Sequence, residues 1–172
     1  MTNMHWKRHD YRLESLTLTI VGIEKSILVL KKKAEEIDWY DGLWFLDESE
    51  PIFGLAFIAL QNYINSSIYD RFETLDKQYE KYKFGTLIKN SNRTYIELIV
   101  SIANYFKHRD DHKELRNSTA NVLSDCNLQF DKEVDIWNSP IFKGLDYYTE
   151  TWNLTELMEH VTDWREKLWL EK

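Results

Sequence analysis

Seven side chains able to do chemistry fall within nine consecutive positions: Asn104, Lys107, His108, Arg109, Asp110, Asp111 and His112. A histidine near neutral pKa transfers protons at physiological pH. Lysine and arginine hold a phosphate and stabilise charge developing on it. An asparagine amide bonds ribose or phosphate oxygens. At about 100° per residue, Tyr95, Ile99, Ile102 and Phe106 share one narrow arc and predict a core face. Arg93, Glu97, Asn104 and His108 lie opposite, with Ser101 at the edge. One further helical turn would add Asp111 and bring His112 nearby. Such a set is either the water face of an amphipathic helix or a site for proton and phosphate chemistry.

Other constellations are thinner. His5 and His9 have the i, i+4 spacing of helical metal ligands, without an obvious third. His108, Asp111 and His112 could hold a divalent ion, but no matching carboxylate pair marks a second helix. There is no phosphate loop, nucleotide-binding glycine fingerprint or nucleophile elbow. No metal and no small-molecule cofactor are therefore expected. The single cysteine, Cys126, reads as a small buried hydrophobe and suits a reducing cytoplasm.

The elements that position these residues are helical. Glycine and proline together contribute only five and two residues, so long patterns run unbroken. Leu13, Leu16, Ile20, Ile23, Ile27, Leu30, Ala34 and Ile37 form a seam with a period near 3.5, predicting a long first helix. Gly42 and 47–49 mark a loop, and Pro51 fits the first turn of a second helix, apolar all round over 52–60 and so central. Its polar continuation, Gln61, Asn62, Asn65, Ser66 and Ser67, reads as an exposed end. A short polar helix over 75–82, a long one over 93–108, another over 113–126 and a last one after Asn153 or Thr155 complete the set, with a short element from Ser139-Pro140. Residues 127–138 read as irregular. The expectation is an all-α, antiparallel bundle of about five to six helices in a single domain over 1–172, with residues 1–10 flexible.

The stretch Ala103-Asn104-Tyr105-Phe106-Lys107-His108-Arg109 resembles the terminal motif of HEPN-type helical proteins. The resemblance covers about ten residues plus the helical architecture, so the motif is short. It implies a bundle of four or five helices that often dimerises, found in bacterial toxin–antitoxin and antiviral defence systems. Ribonuclease members use an arginine, a polar residue and a histidine four to seven positions after the arginine, paired across a dimer and acting without metal. On that pattern Asn104 takes the polar position and His108 the histidine position, as acid/base or phosphate orienter. The arginine position is occupied by Ala103, a departure that leaves either no cleaving pair or a substitute in Arg109 or Arg93. Arg93 would lie about 22 Å along the helix from His108, and Arg109 points about 100° away. Arg109 would complete the catalytic set, with Lys107, Arg93 and His112 contacting RNA.

Charge bears on this choice. The formal net charge of −7 counts against the whole surface acting as a phosphate binder, though not against a local basic site. Together with Ala103 it favours a second reading, a non-catalytic protein-interaction module. Seven tryptophans, several outside regular packing, point to a homodimer or a protein partner. The charged start of the chain lacks a signal-peptide core, and no apolar run reaches membrane-spanning length, so a soluble cytoplasmic protein with no membrane partner is expected.

Overall fold

The computed structural model describes residues 6–111, 114–131 and 133–170, and their regular elements are all helices, with no strand among them. Seven α-helices run in order: α1 Leu13–Glu36, α2 Gly42–Phe72, α3 Gln78–Tyr82, α4 Tyr95–His108, α5 Asn117–Asp125, α6 Pro140–Leu145 and α7 Leu154–Leu170. Two 3-10 turns, Trp6–Arg8 and Ile136–Asn138, accompany them. The number exceeds the five or six expected because α3 and α6 are only one or two turns long.

The seam of α1 is where its periodicity puts it. Leu16, Ile20 and Ile27 are buried against α2 and α7, while Leu18, Leu28 and Val29 on the other side are exposed. Helix α2 is central, touching α1, α4, α6 and α7. Its middle residues Phe57, Leu60 and Ile64 have no accessible surface. It begins at Gly42, nine residues before Pro51. Asp41 caps it, accepting from the backbone N–H groups of Leu43 and Trp44, and residues 47–49 continue the helix instead of forming a loop. Pro51 therefore sits inside the helix, where it cannot donate to the carbonyl of Asp47. Packing of an all-apolar segment against four neighbours outweighs that local cost. At Gly54 the backbone of α2 meets α4 so closely that a methyl group would stand 2.5 Å from the Phe106 ring.

One further expectation is corrected. The polar stretch after Leu60 is not an exposed end: Gln61 and Ser67 are buried, and only Asn62 is fully exposed. The helix continues to Phe72, so these residues face neighbours instead of solvent. Residues 6–10 contact the bundle. The buried Arg165 of α7 donates to the carbonyls of Lys7 and Arg8, and Tyr63 donates to the Asp10 carboxylate.

Helix α7 stacks His160 on Tyr95, ring centroids 4.3 Å apart, with Tyr148 edge-on at 5.5 Å. Burial lowers the His160 pKa, against the opposing pull of Asp163, Glu159 and Glu156. The folded chain thus prefers the neutral imidazole, while the unfolded chain takes up a proton near pH 6.5. Stability contributed by His160 is present above that value and lost as pH falls through it towards the lower folded pKa. Urea unfolding at pH 7 and pH 5.5 should show a loss in the parent protein that is smaller in His160→Gln.

Candidate functional site: an acidic cleft at the end of α4

Helix α4 is fixed at its start by a reciprocal cap. The Thr94 hydroxyl accepts from the Glu97 N–H at 3.1 Å, and the Glu97 carboxylate accepts from the Thr94 N–H at 2.9 Å. Arg93 belongs to this lock. Its guanidinium donates to Glu97 at 3.0 Å and to Asp125 of α5 at 2.8 Å. It stands at the opposite end of α4 from His108, so the structure does not bring the two together within one chain, and its cationic head is paired.

The expected water face of α4 is mostly covered. Glu97 and Ser101 are buried and Asn104 is half-buried, because α5 lies along that side while α2 lies along another. Asn104 accepts from the Gln61 amide at 2.9 Å and reaches Thr119 of α5 at 3.4 Å. It joins three helices, and its position on a face shared with His108 is not a position in solvent. Lys107 donates to the other end of Gln61 at 2.6 Å, and burial lowers its pKa. A single buried glutamine thus ties Asn104 to Lys107. The polar stretch of α2 carried a signal for it, although the residue reads as exposed from sequence.

Arg109 turns away from His108, as its helical angle requires, and meets α2. Its Nη1 donates to Glu50 at 2.5 Å, and its guanidinium lies 5.0 Å from the Phe106 ring centroid. The Ser139 hydroxyl donates to the other oxygen of Glu50. Burial works against the Arg109 charge, but hydrogen bonding to Glu50 and its negative charge outweigh that and raise the pKa. Glu50 is 7% exposed, so this is a buried, fully engaged ion pair. Sequence reasoning missed Glu50 and Ser139, which lie 59 and 30 positions from Arg109 and carry no local signal.

Within the motif Lys107 and His108 are the exposed residues, and His108 reaches beyond the helix. Its Nδ1 is 2.9 Å from Asp111, with the two side chains 55% and 54% exposed. His112 lies outside the described residues, as does His5 of the other histidine pair. Ala103, where the resemblance would call for an arginine, is fully buried in the core. A guanidinium there would have no route to the His108 side of the helix.

His108 and Arg109 border a cleft of about 900 Å³ between α2, the end of α4, α5 and the segment before α6. Asp47, Glu50, Asp110, Asp111, Glu114 and Asp131 line it, and its floor is apolar, with Leu115, Phe130, Val134 and Ile136. Arg109 is its one arginine and is neutralised by Glu50. A phosphate brought here would meet an excess of carboxylates. The exposed imidazole is oriented by Asp111, but no unpaired arginine or lysine stands among the cleft's described residues to hold the phosphate charge.

Cys126 is 1% exposed, and burial raises its pKa, consistent with an inert thiol. Among the described residues no helix is long and apolar enough to cross a membrane. Compared with known protein families, curated proteins and solved structures, the chain matches none.

Proposed function

We propose that this chain is a non-catalytic protein-interaction module, an antiparallel helical bundle of the inactive HEPN-like kind, which offers its acidic cleft to a protein partner. One observation carries this reading. Asn104, Lys107, Arg109 and Arg93, the groups that would grip and position RNA, each have an internal partner, and the cleft beside them is lined by carboxylates. Opening those pairs to take a phosphate would leave buried polar groups unsatisfied, and long-range steering would repel a polyanion.

The His108–Asp111 pair at the cleft mouth supports a second reading, a metal-independent endoribonuclease of bacterial defence or toxin–antitoxin type. There His108 would act as general acid or base, and a partner chain would have to supply the missing cation. An RNA-cleavage assay in EDTA, on total RNA and transfer RNA, separates the two. The interaction module leaves RNA intact in both the parent protein and His108→Ala. Cleavage by the parent that disappears in an equally stable His108→Ala overturns it in favour of the ribonuclease.

A further inference from the structure

The turn between α1 and α2 gathers tryptophans that the core does not use. Trp39 and Trp44 are 64% and 52% exposed, with ring centroids 6.1 Å apart and planes at 85°. Trp137, 55% exposed, closes over the same place from the 3-10 turn before α6. A methyl group on Gly42 would lie 3.4 Å from its ring edge. Three exposed indoles at one corner are costly to leave in water. Each tryptophan can bury about 150–250 Å², so these half-exposed rings offer roughly 300–400 Å². That is close to half of the ~800 Å² per partner in a standard interface.

The surroundings say what chemistry would cover them. Asp38, Asp41 and Asp135 neighbour the tryptophans in sequence, and Asp47 follows one turn after Trp44. Among the described residues, Lys33 is engaged with Glu48 at 2.8 Å and over the Tyr40 ring at 4.1 Å, and Lys32 with Glu36 at 3.5 Å. Asp47 and Ile136 also line the acidic cleft, so the aromatic corner and the cleft form one continuous surface. Indole faces bordered by carboxylates favour guanidinium and ammonium groups, through cation–π attraction to the rings and charge attraction to the rim.

Building on the interaction-module reading, we infer that Trp39, Trp44 and Trp137 form the docking surface for an extended, arginine- and lysine-bearing segment of a protein partner, which continues into the acidic cleft. A second indole close to the first gives such a segment successive stacking sites. The cleft's apolar floor takes aliphatic side chains between the basic ones.

The test is titration of a fluorescently labelled oligo-arginine peptide with the full chain, followed by anisotropy, with oligo-glutamate as the control. Saturable binding is expected, weakened about tenfold in Trp39→Ala/Trp44→Ala and also weakened in Asp38→Asn/Asp47→Asn. Leu28→Ser, on the exposed side of α1, should bind as the parent does. These positions are exposed, and thermal melts confirm that each variant is folded. Absence of binding to the peptide at millimolar concentration overturns the inference. So does binding that the tryptophan variant retains in full, which would mean charge attraction alone, or equal binding of oligo-glutamate. RNA cleavage in EDTA would instead defeat the interaction-module reading, so the two failures are distinguishable.

Discussion

Leu60→Asp is expected to leave the chain unfolded at room temperature. Leu60 has no accessible surface and lies in the middle of α2, which touches α1, α4, α6 and α7. Removing its side chain alone would cost about 2–5 kcal/mol through lost transfer energy and the cavity left behind. The carboxylate adds the penalty of an unpaired buried charge, which it would relieve only in part by taking up a proton. A domain of this size has roughly 5–15 kcal/mol in total, so the sum takes most or all of it. Far-ultraviolet circular dichroism and a thermal melt decide the matter. A folded variant with an unchanged Tm would show that α2 is not the central helix.

Arg109→Ala should be the next most damaging change, costing about 3 kcal/mol, although the residue looks like a surface cation in sequence. The loss arises at its partner. Glu50 would remain buried with only the Ser139 hydroxyl to stabilise its charge, and breaking a buried pair by removing one member is costly for that reason. The argument has a sharp corollary. Glu50→Gln combined with Arg109→Leu should be less destabilised than Arg109→Ala alone, because no unpaired charge remains. Urea unfolding of the single and double variants measures the coupling directly. Additive effects would show that the ion pair contributes nothing of its own.

The helices were legible because their signals are periodic and local. The α1 seam, the Ser139-Pro140 start of α6 and the core face of α7 with Trp164 all follow from spacing or capping residues. The start of α2 was misread because Asp47, Glu48 and Ser49 look like a loop, whereas tertiary contacts hold them in a helix. The site was less legible than the fold. A helical wheel places Asn104 and His108 on one face, but it says nothing about which neighbour covers that face. Gln61 and Thr119 do so at Asn104 from positions 43 and 15 residues away, while Glu50 takes Arg109 from 59. The cluster that reads as reactive is largely spent on holding α2, α4 and α5 together. The tryptophans behaved differently. Trp39, Trp44 and Trp137, in or beside irregular segments, are exposed, while Trp152 packs on Phe53 and Phe142.

The clasp between Arg165 and the carbonyls of Lys7 and Arg8 also bears on how the chain folds in time. It joins residues 157 and 158 positions apart. Closing a loop of that length costs roughly 4–5 kcal/mol of chain entropy unless intervening contacts have already shortened it. A clasp of that span is expected to close late, after α2 and α4 have met. Interactions absent from the transition state act on the unfolding rate and leave the folding rate nearly untouched. Arg165→Ala is thus expected to speed unfolding and leave the folding rate nearly unchanged, a difference that the two arms of a urea chevron measure.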